Sequence, residues 1–243
     1  ALTDAGIELD QNWLAELIAV VPAKPTAVEE NETEPHVDVV YGNYSPVISN
    51  LFEKCACLCY SPAKKINGIR GTSVASMLMR KQVWATVGGF PDMRAAEDLI
   101  FMEAIAEKGF GIATAPSAMI HWQLQPDVLR TLQKFILYSK HNVWAGRQWD
   151  WHYGIVRLYL LLLPFLLLAV VHTRWWLLGL PFWLAARTTK RILAHRYECG
   201  VGTLFNPLIF FGVAGLILLI DLATFVGWGQ ALVSRQKAVD RRQ

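Results

Sequence analysis

The sequence predicts an α/β domain followed by an amphipathic interfacial helix and two to three transmembrane helices. Short apolar runs of strand and helix character alternate along the first half, as in layered α/β proteins. The second half contains long apolar stretches. Residues 1–126 carry 9 Lys/Arg and 15 Asp/Glu, a net charge of −6, whereas residues 127–243 carry 14 and 5, a net charge of +9. The basic half is therefore the apolar half, which suits contact with membrane lipids and disfavours nucleic acid as a partner.

The first half divides into elements at its Pro, Gly and polar residues. Asp10 is expected to cap a helix in which Leu14 and Leu17 follow helical spacing, and Pro22 ends this helix. The glutamates of residues 29–34 predict an acidic, solvated loop. The elements predicted next are a strand at 37–42, a helix at 46–60, a strand at 71–79, helices at 80–87 and 97–108, and strands at 112–115 and 118–122.

Three of the four cysteines lie in Cys55-Ala-Cys57-Leu-Cys59. A metal site is conceivable there, but no His or second cysteine pair stands at a useful spacing. Small buried side chains on a local helix or strand are the favoured interpretation, and a disulfide scaffold is not indicated.

Residues 126–152 predict amphipathic interfacial helices between the soluble and apolar parts. Leu129, Leu132, Phe135 and Ile136 lie near one helical face, and tryptophans follow. An ordinary domain helix with one face in a core is the alternative.

The region 153–233 is predicted to be transmembrane and to attach the chain to the inner cell membrane as a multi-pass protein. Spans are expected near 155–171, 175–186 and 204–230. The second is short enough to be re-entrant instead. The positive-inside rule places the basic loop at 187–196, and with it residues 1–150, in the cytoplasm. The basic tail at 234–243 also favours the cytoplasm, which three complete spans would not allow.

Four residues could take part in catalysis or metal binding. They are Asp4, Glu97, Asp98 and His121. A strand-end carboxylate followed by small residues, as Asp4 is followed by Ala and Gly6, can ligate a divalent cation while a diphosphate approaches the backbone. Each residue also has an ordinary explanation when taken singly. Asp4 could cap a turn, Glu97 and Asp98 could complement a helix dipole, and His121 could be a core histidine.

Taken together, seven short blocks resemble the second half of the GT-A catalytic domain of family 2 glycosyltransferases. They are Thr3-Asp4-Ala5-Gly6, Leu9-Asp10-x-x-Trp13-Leu14, Val39-Val40-x-Gly42, Gly71-Thr-Ser-Val-Ala-Ser-x-Leu-x-Arg80, Val87-Gly-Gly-Phe-Pro91, Ala96-Glu97-Asp98-Leu99 and Ala115-Pro116-x-Ala118-x-x-His121-Trp122. The similarity covers about residues 2–150. The apolar segments that follow, with their basic loop and Asp221-Leu-Ala, are similar to membrane-attached bacterial members.

The resemblance implies transfer of a sugar, with inversion, from a nucleotide-sugar donor to a hydroxyl of a lipid-linked, glycolipid or polysaccharide acceptor. Asp98 corresponds to the family's catalytic base, with Glu97 beside it. Asp4 corresponds to the aspartate that binds metal and diphosphate, although the usual second carboxylate is missing from Asp-Ala-Gly. His121 corresponds to an additional ligand of the divalent cation, Mg²⁺ or Mn²⁺.

The resemblance also implies the remaining contacts to the donor. Gly6, Arg70, Gly71, Lys140 and Arg147 are the residues expected to bind it. The Gln/Arg-x-x-Arg-Trp motif of processive synthases is not present, so single or limited transfer is implied. In the family, the half that holds the nucleotide base precedes these blocks, and it is expected upstream of this sequence.

Two other functions remain open. The single carboxylate at Asp4 also suits a non-catalytic, transferase-like subunit of a larger membrane complex. Asp221 lies in an apolar stretch, which would suit a small transporter or channel, although it could equally lie at the membrane interface or pair with a basic neighbour. The sugar-transfer hypothesis predicts that Asp4, Asp98 and His121 converge on one cytosol-facing pocket above the lipid surface.

Overall fold

The computed structural model describes residues 1–22, 36–65 and 67–240, with side chains through residue 234. The predicted acidic loop at 29–34 lies outside the described residues, as do the last three residues of the basic tail. By contacts the chain divides into two compact units, Ala1–Val47 with Lys64–Leu124 and Ile48–Ala63 with Gln125–Gln243. The first unit contains a sheet and helices, and the second is helical. The predicted mixed α/β class is therefore confirmed.

Strands and short helices make up the first half of the chain, and helices make up the second half. The strands are β1 (Ile7–Leu9), β2 (Val39–Val47), β3 (Met77–Met79) and β4 (Ile112–Gln123). The helices are α1 (Trp13–Ala19), α2 (Leu51–Tyr60), α3 (Lys81–Val87), α4 (Glu97–Glu107), α5 (Val128–Trp144), α6 (Gln148–Leu160), α7 (Leu163–Val171), α8 (Gly179–Ala194), α9 (Arg196–Cys199) and α10 (Pro207–Asp240). Short 3₁₀ helices lie at Val74–Ser76, Arg174–Leu178 and Val201–Phe205.

The four strands form one mixed sheet in the order β1-β4-β2-β3. The central strands β2 and β4 are parallel, and the edge strands β1 and β3 pair with them in antiparallel fashion. Because side chains alternate along a strand, the two faces of the sheet carry separate cores. One, the α1-side cluster, consists of Trp13, Leu17, Val40, Ala115, Ala118 and Ile120. The other, the α4-side cluster, consists of Val39, Tyr41, Met77, Val83, Phe101 and Ile105.

The helix expected at 46–60 begins later, because β2 continues to Val47 and α2 starts at Leu51. A reciprocal cap fixes this start. Asn50 Oδ1 accepts a hydrogen bond from the Glu53 amide at 2.9 Å, and Glu53 Oε2 accepts one from the Ser49 amide at 2.6 Å. Such a cap satisfies amides that have no partner within the helix.

The strands expected at 112–115 and 118–122 are one continuous strand, β4. Pro116 has no amide hydrogen, but it does not interrupt the strand because it lies at an irregularity, between the pairs Tyr41–Thr114 and Asn43–Met119. Its carbonyl accepts a hydrogen bond from Asn43 Nδ2 at 3.3 Å. The strand expected at 71–79 is shorter than predicted. Ser73 Oγ accepts a hydrogen bond from the Ala75 amide, which favours the 3₁₀ turn before β3.

A close contact at Gly42 joins the middle of the sheet to α1. The pairing of β2 with β4 shifts register between Tyr41 and Asn43. A Cβ at Gly42 would collide with Ser76 Oγ and would lie 2.7 Å from the Ala118 carbonyl. Ser76 Oγ accepts a hydrogen bond from Trp13 Nε1 at 2.8 Å, so the backbone must approach closely here.

In the helical unit, α10 packs against α2 and α5 at small residues. A Cβ at Gly212 would lie 2.7 Å from Cys55 Sγ, and the Cys59 thiol lies 3.6 Å from the Val213 carbonyl. Cys55, Cys57 and Cys59 are all buried, which confirms their interpretation as small packing residues. Burial raises the pKa of the Cys55 and Cys59 thiols, so both stay neutral at ordinary pH.

Asp221 of α10 is buried and bonded to two other helices. Arg187 of α8 donates to its two carboxylate oxygens at 2.6 and 3.3 Å, and the Tyr159 hydroxyl of α6 donates at 2.9 Å. The Arg187 guanidinium also lies 4.7 Å from the ring centre of Trp183. The suggestion of a transport path thereby loses its one indication, because the carboxylate is paired with a basic neighbour.

Two segments are long and apolar enough to cross a membrane, Gln148–Val171 and Pro207–Ser234. The first comprises α6 and α7, and His152 and Leu162 are its buried residues. The second is the apolar part of α10, and 44% of its most apolar 18-residue stretch is buried inside the protein. Among the described residues, the second expected span at 175–186 is not such a segment; it lies in a 3₁₀ turn and the 16-residue helix α8.

We expect Gly227→Ala to destabilise the helical unit. A Cβ at this position would collide with the Ile136 carbonyl and lie 2.7 Å from Ser139 Cβ, so α10 and α5 would have to separate, at a cost of about 1–3 kcal/mol. Gly229→Ala is the matched control, since a Cβ there meets nothing within 4 Å. Both changes raise helix propensity equally. Thermal unfolding in detergent should show a lower midpoint for Gly227→Ala alone, and equal midpoints would contradict the packing argument.

We expect Asp221→Leu to destabilise the protein by roughly 3–5 kcal/mol, because it leaves the Arg187 charge buried without its partner. The double variant Asp221→Leu with Arg187→Met removes both charges and should lose much less. Thermal unfolding of the two single variants and the double variant measures this coupling. Strictly additive losses would show that the pair is not a coupled unit.

Candidate functional site

Asp4 lies on an exposed turn that leads into β1. Leu2 exchanges backbone hydrogen bonds with Met77 at 2.7 and 3.3 Å, and β1 begins at Ile7. Between them, Asp4 Oδ1 accepts a hydrogen bond from the Ala5 amide at 2.9 Å. Gly6 has φ of +79°, a conformation that favours glycine. The Asp-Ala-Gly block therefore forms a tight turn that presents its carboxylate to solvent.

Glu97 and Asp98 form the first turn of α4, where the helix dipole favours negative charge. Asp98 Oδ1 accepts a hydrogen bond from the Leu99 amide at 2.8 Å. Glu97 Oε2 is buried and has no hydrogen-bond partner among the described residues. Ala96, directly before the helix, has φ of +72° and is the one non-glycine described residue with positive φ. Strained backbone of this kind clusters at functional sites, so the acidic pair stands at the best candidate position in this unit.

His121 lies on β4 and contacts an acidic residue directly after the neighbouring strand β1. Its Nε2 is 2.8 Å from Asp10 Oδ1, and both side chains are partly exposed to solvent. Sequence analysis expected Asp10 to cap α1, and this expectation is wrong. The residue before α1 is Asn12, no side chain caps the helix, and Asp10 bonds instead to the histidine on the paired strand.

Arg70 and Gly71 follow a loop that is anchored by Asn43 of β2. The buried Asn43 Oδ1 accepts a hydrogen bond from the Arg70 amide at 3.2 Å, and its Nδ2 donates to the Gly68 carbonyl at 2.9 Å. The same Nδ2 bonds to Pro116 of β4. One amide side chain therefore fixes the loop to both central strands. Arg70 is itself buried, and a Cβ at Gly71 would meet nothing within 4 Å.

The α4-side cluster relates the candidate residues of this unit to one another. Leu2 and Phe101 both pack in this cluster, so the turn of Asp4 and the first turn of α4 border the same face of the sheet. Ile120 belongs to the opposite cluster, so side-chain alternation directs His121 away from the α1-side cluster. The convergence of Asp4, Asp98 and His121 on a single pocket stays a prediction.

Lys140 and Arg147 belong to the helical unit. Lys140 Nζ lies 5.5 Å from the ring centre of Trp144 on α5, and Arg147 Nη2 lies 3.7 Å from Asp150 Oδ2 at the start of α6. Their expected contact with the donor also stays a prediction.

The predicted divalent cation finds few ligands in the described part of the chain. No three His, Cys, Asp or Glu side chains among residues 1–22, 36–65 and 67–240 come together in a way that could hold a metal ion. Asp4 offers one free carboxylate oxygen, and His121 is engaged by Asp10. These residues do not form a protein cage for a metal, so a cation here would depend on oxygens from the donor diphosphate and water, as Mg²⁺ commonly does.

Sequence reasoning missed Asn43 and the pairing of Asp10 with His121. One feature of the sequence could have indicated Asn43. It is a single amide side chain directly after Gly42 within a run of strand-forming residues, and asparagine is unusual in a buried strand. No feature of the sequence could have indicated the pairing of Asp10 with His121, because the two residues are 111 positions apart.

No model of a known protein family matches this chain, and no curated protein sequence matches it either.

We expect Asn43→Leu to loosen the loop that carries Arg70. The change removes the hydrogen bonds to this loop and leaves buried polar groups without partners, at about 1–3 kcal/mol each. Limited trypsin digestion should cleave the variant faster at Lys64, Lys65 and Arg70. Asn67→Ala is the control, since Asn67 is exposed and its Oδ1 accepts a hydrogen bond from the Ile69 amide of the same loop. Equal cleavage of the two variants would show that Asn43 does not hold the loop.

Proposed function

We propose that this chain forms the second half of the catalytic domain, and the membrane region, of an inverting family 2 glycosyltransferase of the GT-A type. The observation that carries the proposal is the acidic pair at the start of α4, behind the strained Ala96. The turn of Asp4 borders the same sheet face as this pair, since Leu2 and Phe101 pack in one cluster, and His121 is expected to complete the site. The seven sequence blocks supply the resemblance.

In the proposed reaction Asp98 acts as the base. Its carboxylate accepts the proton of the acceptor hydroxyl while the hydroxyl oxygen attacks the anomeric carbon of the donor sugar. The bond from that carbon to the nucleoside diphosphate oxygen breaks, and the electron pair leaves with the diphosphate. Attack opposite the leaving group inverts the anomeric centre. The N-terminus of α4 favours the ionised carboxylate that this step requires.

Other residues take supporting roles in this proposal. Asp4 and Gly6 lie where a diphosphate could approach the backbone of a tight turn. The cation of Arg70 would offset the negative charge that develops on the leaving group. Glu97, whose Oε2 is buried, would orient the first turn of α4 beside the base.

We propose that α6–α7 and α10 attach the protein to the inner cell membrane. Two crossings place residues before Gln148 and residues after Ser234 on the same side. The basic tail, with Arg235 and Lys237, favours the cytoplasm for that side, and the catalytic residues would then also be cytoplasmic. This arrangement puts the basic loop at 187–196 on the opposite side, so it departs from the topology expected from three spans. A site at the cytoplasmic membrane surface suits a lipid-linked, glycolipid or nascent polysaccharide acceptor.

A non-catalytic subunit of a membrane complex is the second candidate. The Asp-Ala-Gly block favours it, because the family's usual second carboxylate is missing. The two candidates differ in a simple way, since only the enzyme needs an ionisable side chain at position 98.

We expect Asp98→Asn to lower sugar transfer by about 10²–10⁴-fold, because the amide cannot accept the proton of the acceptor hydroxyl. Membranes that contain the full natural chain would be incubated with a panel of nucleotide-sugars, and the transferred label measured. Glu107→Gln is the matched control, an exposed carboxylate of the same helix.

Thermal unfolding should be the same for both variants. Unchanged transfer in Asp98→Asn would refute its role as base. Lack of transfer by the unaltered protein with every donor would favour the non-catalytic subunit.

A further inference from the structure

The helix α8 has one face bonded to its neighbours and one open face. On the bonded side Arg187 pairs with Asp221 of α10, and Trp183 Nε1 donates a hydrogen bond to the Leu158 carbonyl of α6 at 3.1 Å. Thr188 and Ile192 on this side are buried. The open face bounds a shallow groove of about 690 Å³, whose lining includes Phe182, Ala185, Ala186, Lys190, Leu193 and Arg196.

The groove changes character along its length. At its N-terminal end Phe182 is 73% exposed, and the alanines beside it leave space above the helix. At its C-terminal end lie two exposed cations, Lys190 and Arg196. Phe182 and Lys190 are separated by about 12 Å along the helix axis. This length matches a phospholipid phosphate together with the first part of its acyl chain.

The Arg196 guanidinium is held in position to meet an anion. Its Nη1 donates to the Leu193 carbonyl at 3.3 Å, and its Nη2 donates to the Tyr197 hydroxyl at 3.0 Å. It also stacks 4.5 Å from the Tyr197 ring centre. A guanidinium has five N–H donors, so others remain for a phosphate oxygen, and its orientation is fixed before the ligand arrives.

The position of α8 in the chain points to lipid rather than water at the open face. The helix lies between the two segments that are apolar enough to span, and it is bonded to both of them through Leu158 and Asp221. A second copy of the chain is a poor occupant. A two-fold interface groove to groove would cover Lys190 and Arg196 of both copies, and the lining offers no acidic residue to pair with them.

We propose that an anionic phospholipid of the bilayer binds lengthwise along α8. Its acyl chain lies against Phe182, Ala185 and Ala186, and its phosphate is bound by Lys190 and Arg196. The proposal rests on the proposed membrane attachment and is independent of sugar transfer.

The test uses the full natural chain, purified in detergent and exchanged into mixed micelles of phosphatidylglycerol and phosphatidylcholine. The lipids retained after gel filtration are then quantified. Lys190→Gln with Arg196→Gln should weaken retention of phosphatidylglycerol roughly 30-fold. Arg157→Gln with Arg174→Gln is the matched control; it removes the same charge from exposed positions outside the groove, and retention should stay close to that of the unaltered protein.

Ala186→Trp tests the apolar end of the groove without a change in charge. It should lower retention of phosphatidylglycerol, whereas inorganic phosphate at the same concentration should not compete for the site. Retention equal to the control in either groove variant would overturn the proposal, as would full competition by inorganic phosphate. A dimer that Ala186→Trp dissociates would assign the face to a second copy. Recovery of the protein in the soluble fraction without detergent would instead refute the membrane attachment itself.

Discussion

A carboxylate in the middle of an apolar helix constrains how the helical unit assembles. Asp221 stands near the centre of the segment Pro207–Ser234, where neither lipid nor packed side chains would stabilise its charge. Arg187 and Tyr159 supply the hydrogen bonds, and they come from two different helices. The need to pair one charge therefore brings α6 and α8 against α10. The small residues of α10 then allow α2 and α5 to approach its other sides.

The α/β unit depends on a comparable constraint, a close approach of polar backbone at Gly42. A side chain there would displace Ser76, which links Trp13 of α1 to the sheet. The register shift beside it turns Asn43 inward, and its amide bonds to the loop before Arg70 and to Pro116. A structural irregularity in the sheet thus positions a residue that is proposed to bind the donor. This links the packing of the core to the chemistry of the site.

The candidate site combines features that cost stability. Ala96 adopts a backbone conformation that L-residues seldom adopt, and Glu97 Oε2 is buried without a partner among the described residues. Such features persist when the surrounding structure determines them, and here Phe101 and Ile105 hold α4 against the sheet. A helix start that is strained and acidic suits a role beyond packing, and the role we propose for it is proton acceptance by Asp98.

The sequence by itself determined the local features of this protein. It predicted the α/β class, most helices of the first half, the burial of the three clustered cysteines and the apolar segments at 155–171 and 204–230, because periodicity, glycine and proline act over a few residues. Long-range contacts were decided only by the tertiary structure. It paired Asp10 with His121 across 111 positions, merged two expected strands around Pro116, and placed the expected span at 175–186 in a short helix. These outcomes depend on which surfaces meet after folding, and no local pattern of residues encodes that choice.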